Sequence, residues 1–499
     1  MRITGLGVCL LGFALSLAAG TPAAGESARL LALSYIGGSS FDRAQGCAVG
    51  PDGSIYVAGN TSSTDLPATP GGLSTPRGGS DAFIARLSPD LSQVLALAYL
   101  GGSDEDRGYG LAVDPSGQVV AVGITRSSDF PATPGAFQTQ RKGDVDVFVA
   151  KLRPDLSGLV WASLIGGSAT VGTDTDWTRG GVQIGPDGSV TVVGKTAGPD
   201  FPTTPGAVQE QFAGGSWDAF VARFAPDGSH LLWSTLIGGS NGESFYGNLV
   251  LLPDGSVVVG GFSNSPDFPT TTGAWRRQFS GAQYPFFDGD GVVVHLSADG
   301  SQLLSSTYLW GGVSGNDGLA VDDAGRPWVH TNVRPENAGL VPVRPGAAQQ
   351  AFAGRANDMV VGRLSADGSA LEAATFLGGG DSEEPSGIAL DAAGRAFVSG
   401  NTASTDLPIT RGALQRRVGG GRDAFVAVLR PDLSLAYASY LGGPGTDRGR
   451  CVVSLSGARF AVTGDSDGGL PTTPGVFDSS PNGGRDGFIA VFQLGGEAP

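Results

Sequence analysis

The chain has 499 residues, of which 83 are Gly and 31 are Pro, a load that rules out helical bundles and coiled coils because these residues are the worst in a helix interior. With 40% hydrophobic and only 16% charged residues it is too apolar for a disordered polymer, so a large all-β protein with many tight turns is expected. A net charge of −16 argues against nucleic acid and anionic lipid surfaces as partners, since both need a basic face.

In chain order, residues 1–25 read as an export signal. Arg2 precedes an apolar stretch from Leu6 to Ala19, and Ala23-Ala24-Gly25 offers a small-residue cleavage site. Cys9 lies inside that stretch rather than at its end, so it is not read as a lipid-anchoring cysteine. No other segment approaches the length of a membrane span. The expected product is therefore exported, whether periplasmic, secreted or surface-associated, with Cys47 and Cys451 as its remaining cysteines.

From residue 28 onward the sequence repeats. Double glycines close apolar runs at Gly37-Gly38, Gly101-Gly102, Gly166-Gly167, Gly238-Gly239, Gly311-Gly312, Gly378-Gly379 and Gly442-Gly443, at steps of 64, 65, 72, 73, 67 and 64 residues. Each is followed by a tight turn such as Pro51-Asp52-Gly53. A loop of the kind Asp129-Phe130-Pro131 with Thr133-Pro134-Gly135-Ala136 comes next, and then an Asp that opens a strand: Asp81, Asp146, Asp218, Asp290, Asp358, Asp423 and Asp486. The second unit shows four strand-like segments, at 109–114, 118–124, 147–152 and 159–164. Four strands in seven units is the arithmetic of a seven-bladed β-propeller of four-stranded antiparallel blades. Residues 30–36 precede the first double glycine as a lone strand, and the last unit stops after its third strand at 488–492. The N-terminal strand is therefore expected to complete the last blade and hide its edge. Residues 26–499 read as one domain, with repeats over about 28–494, and as a monomer.

These phrases resemble the bacterial β-propeller repeat family known as SBBP. The resemblance rests on Tyr/Leu-x-Gly-Gly, the run from Asp106 to Asp114, the Thr-x-Ser-x-Asp-Phe-Pro loop and Asp-Ala-Phe-Val-Ala, and it spans nearly the whole repeat region. It implies an exported propeller and brings no catalytic residues with it. The fifth unit departs most, with Gly339-Leu340-Val341-Pro342 in its loop and Pro327 early in a strand, so a distorted blade is expected there.

Turns between first and second and between third and fourth strands share one face and barely vary. The opposite face receives the double-glycine loops and the long Asp-Phe-Pro loops, whose lengths vary, so binding residues are expected there. Extra residues in the third unit bring Asp174, Asp176 and Trp177. Those in the fourth bring Tyr284, Phe286, Phe287 and Asp288, near Trp275 and Trp310. Aromatic rings beside carboxylates suit sugar rings, and they equally suit the covering of inter-blade gaps. The pairs Asp42-Arg43, Asp106-Arg107 and Asp447-Arg448 enter the innermost strands, either as a ring around the channel mouth or as a repeated structural lock.

Three scattered histidines (His230, His295, His330) give no zinc spacing, and no nucleophile elbow or phosphate loop is present. Calcium is the one cofactor to consider, at Asp104 and Asp106 or at Asp288 and Asp290, although neither pair fits the twelve-residue calcium loop. The leading expectation is a non-enzymatic binding or scaffold module for an extracellular glycan or protein. The alternative is an extracellular polysaccharide hydrolase or lyase with acids at the channel mouth. Cys47 lies six residues before Gly53 and Cys451 six before Gly457, so ring closure would make them neighbours able to form a disulfide.

Overall fold

The computed structural model describes residues 26–70, 73–168, 180–281, 289–313 and 316–497. They form seven antiparallel four-stranded sheets arranged as a seven-bladed β-propeller. Blade 2 is representative: Asp106–Val113, Val119–Thr125, Asp146–Leu152 and Leu159–Ile165 run from the innermost to the outermost position. The middle strands are buried along their whole length because blades cover them on both sides, which is why they read as unbroken apolar runs.

Ring closure follows the expected route. The N-terminal strand Glu26–Ile36 is the outermost strand of blade 7, antiparallel to Asp486–Glu497, with Leu30 opposite Phe492 and Tyr35 opposite Phe488. Blade 5 is a complete four-stranded sheet. Pro327 is tolerated because it takes the first position of its strand, opposite Val321, and the short 3-10 helix Pro335–Leu340 follows that strand.

The long loops do more than cross a face. In every blade the loop between second and third strands folds back along the outermost strand and hydrogen-bonds to its open edge. Thr133 N–H donates to Ala162 O (2.8 Å) and Leu164 N–H to Gln138 O (2.8 Å) in blade 2; Thr473 N–H donates to Leu33 O (3.2 Å) and Tyr35 N–H to Asp478 O (3.1 Å) in blade 7. Edges that would otherwise template aggregation are thereby covered. The loop tip then reaches the next blade, where Phe137 N–H donates to Gly228 O (2.9 Å), Trp275 N–H to Gly368 O (2.9 Å) and, across the closure, Phe477 N–H to Leu91 O (2.8 Å).

The turns between third and fourth strands fill five of the seams in one of two ways, while the blade 5 turn glycine, Gly368, faces Ser305 instead. In blades 1, 2 and 6 a leucine (Leu91, Leu156, Leu433) sits at positive φ and is fully buried, facing a small residue of the preceding blade: Ala32, Ala96 or Ala373. In blades 3 and 4 the turn residue is glycine, and a tryptophan of the preceding blade fills the space. A Cβ on Gly228 would lie 2.5 Å from Trp161 Cδ2, and the Trp161 indole donates to Pro226 O (2.9 Å). Trp233 repeats this at Gly300 and Ala298 O.

Candidate functional site

The carboxylates best suited to chemistry are drawn into the framework. Asp42 accepts from Gly38 N–H (2.8 Å) and Ser63 Oγ (2.8 Å); Asp106 accepts from Gly102 N–H (2.7 Å) and Ser127 Oγ (2.7 Å). In blades 4 and 6 a glutamate takes the same place: Glu383 accepts from Gly379 N–H (3.0 Å) and Thr402 Oγ1 (2.7 Å). The strand-opening acids lie against the other side of the double glycine, as Asp81 does at Gly101 while accepting from the loop N–H groups of Arg77 and Gly78 (2.9 and 3.2 Å). Two buried carboxyls thus close on each of these glycine pairs. Burial, with the neighbouring acid adding, pushes Asp106 and Asp447 up to about 6 and Glu243 and Glu383 up to about 7. Their recurrence from blade to blade marks them as structural locks.

The sequence-derived ligand patch fares unevenly. Asp174, Asp176, Trp177, Tyr284, Phe286, Phe287 and Asp288 lie outside the described residues. Trp310 is corrected to a core side chain: it is fully buried and packs edge-on to Trp275, their ring centroids 6.3 Å apart. Trp275 is the loop tip that seals the seam between blades 4 and 5, so it too belongs to the packing. Of the pair read as calcium ligands, Asp104 is exposed while Asp106 is buried in its lock. Asp290 is buried and accepts from Ser280 N–H (2.7 Å). Among the described residues no three acidic, His or Cys side chains converge to hold a metal ion.

Cys47 and Cys451 are joined, their Cα atoms 5.9 Å apart. Their positions differ by one rung, since Cys47 lies opposite Val57 and Cys451 opposite Thr463. Counting back from the turn glycine misplaces them because the two turn glycines are not equivalent: both hairpins close on an i,i+4 pair, Gly50 with Ser54 and Leu455 with Arg459, but Gly53 is the third turn residue, where blade 7 has Ala458, and Gly457 is the second. The bridge lines a narrow channel of about 160 Å³, which glycines such as Gly46, Gly110 and Gly387 allow to close in.

A larger concavity, about 550 Å³, opens on the short-turn face between blades 5 and 6. That volume lies within the roughly 300–1,000 Å³ typical of small-molecule sites. Its walls are the turns bearing Asp322 and Asp391, and Trp328 and Arg363 stand between them. The Arg363 guanidinium lies 5.2 Å from the Trp328 ring centroid and is held by Glu372 (3.1 Å) and Pro431 O (2.7 Å). Arg326 and Arg395 fold back onto Asp322 (2.8 Å) and Asp391 (2.6 Å). Burial raises the Asp322 carboxyl, but Arg326 and the Trp328 indole outweigh it and hold it below its ordinary range. Sequence reasoning passed this cleft over because it looked to the long loops. The signal was present in the substitution of Arg326 and Arg395 where other blades carry Ser54, Gln118, Ser189 and Ser256.

No protein-family model matches the chain, and no curated protein matches it in sequence. Among solved structures it is similar to a hydrazine synthase chain of Kuenenia stuttgartiensis (12% identity, 90% of this chain and 96% of that one, TM-score 0.40). It is also similar to a protein of unknown function from Dyadobacter fermentans (12%, 94% and 100%, TM-score 0.40) and to BamB of Moraxella catarrhalis (8%, 93% and 99%, TM-score 0.39).

Proposed function

We propose that this protein is an exported, SBBP-like binding propeller that takes an extracellular glycan in the turn-face cleft between blades 5 and 6. The observation that carries the reading is the cleft itself, where two carboxylates and fixed guanidiniums converge on rigid hairpins over the buried Trp328 ring. Carboxylates accept from sugar hydroxyls and guanidiniums donate to them, and short turns hold both without ordering cost. A disulfide suits an oxidising compartment and supports export. The test is a glycan array probed with wild type and with Ala324→Trp and Ala393→Trp, two exposed wall positions. Retention of a glycan by wild type and its loss in both variants at unchanged melting temperature is the expected result. Unchanged binding in the variants overturns the cleft, and release of reducing ends from a bound polymer replaces binding with polymer cleavage.

A further inference from the structure

On the opposite face, at the channel mouth, the seam between blades 7 and 1 gathers four arginines. Arg43 lies on the innermost strand of blade 1, Arg448 and Arg450 on that of blade 7, and Arg485 just before the third strand of blade 7. Their centre is Asp465, fully buried, which pairs with Arg450 Nε (2.7 Å) and Arg485 Nη1 (3.1 Å); Arg485 Nε also meets Asp467 (2.7 Å). The Arg43 guanidinium lies 4.6 Å from the Phe41 ring centroid.

This sector departs from the repeat. Where blade 7 has Asp465, the other blades carry Asn60, Ile124, Lys195, Phe262, Asn332 and Asn401. The further acids at this seam, Asp42, Asp447 and Asp486, turn into their own locks on Gly38, Gly443 and Asn482 N–H. Arg448 stands beside Arg450, Arg485 and Arg43, and burial with those like charges lowers its pKa against the pull of Asp465. In a chain of net charge −16 such crowding of cations is a local inversion.

We propose that these four arginines form a binding site for an oxyanion, a carboxylate or sulfate, entering at the channel mouth. Guanidiniums present paired N–H groups that match the oxygens of either anion, and the setting, with Arg43 and Arg450 buried and Arg448 and Arg485 partly exposed, strengthens those bonds. The halves of the site come from blades joined by the disulfide, because Arg450 precedes Cys451 and Arg43 lies four residues before Cys47. The Arg485 carbonyl adds a backbone stitch by accepting from Asp42 N–H (2.8 Å). The site uses other blades and the other face from the cleft, so it stands or falls independently of it.

Calorimetry with inorganic sulfate, with a glucuronate oligomer and with neutral glucose, at matched ionic strength, tests the assignment. Wild type should bind sulfate or glucuronate and not glucose, and the tighter of the two identifies a free anion or an acidic sugar as the source. Arg448→Gln should weaken binding at least about tenfold, a loss of one charge-assisted hydrogen bond. Arg448→Lys, which keeps the charge and loses the fork, should fall between, and Arg355→Gln in blade 5 should bind as wild type. Absence of binding by wild type, or equal affinity across folded variants, overturns the proposal.

Discussion

At Gly378 an added Cβ would lie 2.7 Å from both Asp358 Oδ1 and Glu383 Oε2, so the glycine is required by two acids closing on it from neighbouring blades. Gly123 answers to other neighbours, the Arg107 carbonyl oxygen, which a Cβ there would overlap, and the Phe148 ring, whose Cε1 would stand 2.6 Å from that Cβ. Gly378→Ala and Gly123→Ala should each cost about 1–3 kcal/mol by overpacking, read as lowered denaturant midpoints. The buried acids also set a pH dependence. Asp106, Asp218, Asp358 and Asp447 sit at about 6 and Glu243 and Glu383 at about 7 when folded, above the roughly 4 of an unfolded carboxyl. The folded state therefore binds these protons more tightly, and their stabilisation is lost as pH rises from about 4 through 7. Hairpin acids such as Asp90, Asp299 and Asp367, held at about 2 by serine hydroxyls, act in the opposite sense and lose their contribution only as pH falls below about 4. The melting temperature should accordingly be higher at pH 5 than at pH 8, and a rise towards pH 8 would contradict the burial of the locks.

Between blades the unit of packing is a matched pair of elements, a hairpin of one blade and the outer strand of its predecessor. A leucine at positive φ costs roughly 1–2 kcal/mol, which its complete burial offsets. The alternative, glycine facing tryptophan, reaches the same filled volume without that strain. Ala96→Trp should therefore destabilise the seam between blades 1 and 2, since Leu156 already occupies the space. Adding Leu156→Gly should recover part of the loss, giving a coupling of about 0.5–3 kcal/mol in a double-mutant cycle of denaturation midpoints. Additive effects would mean that the two side chains do not share the seam. Trp310→Ala, at a position where sequence reasoning saw a ligand contact, should cost about 3–5 kcal/mol of stability while leaving glycan retention unchanged.

For the ring as a whole, closure comes through both the N-terminal strand, paired with the last strand, and the Cys47–Cys451 bridge between residues 404 apart in sequence. Replacing both cysteines by serine should lower stability by about 2–5 kcal/mol, chiefly by freeing the unfolded chain. The fold should persist, because the Glu26–Ile36 strand still pairs with the last strand; a variant that no longer folds would show that the bridge, rather than strand pairing, closes the ring.

Blade number, strand count and the closing strand were legible in the sequence because each depends on a local signal repeated seven times: double glycines, hairpin turns and apolar runs of strand length. The cysteine pairing was legible for the same reason, though the turn glycine of blade 7 sits one position earlier in its hairpin than that of blade 1, which shifted the register by one. The roles of the long loops and of Trp310 were not legible, because whether a polar-looking loop faces solvent or covers a strand edge depends on where the chain returns in space. The cleft between blades 5 and 6 and the arginines at the channel mouth belong to that second kind. Each is assembled from residues of two blades, and only the curvature of the closed ring brings such residues together.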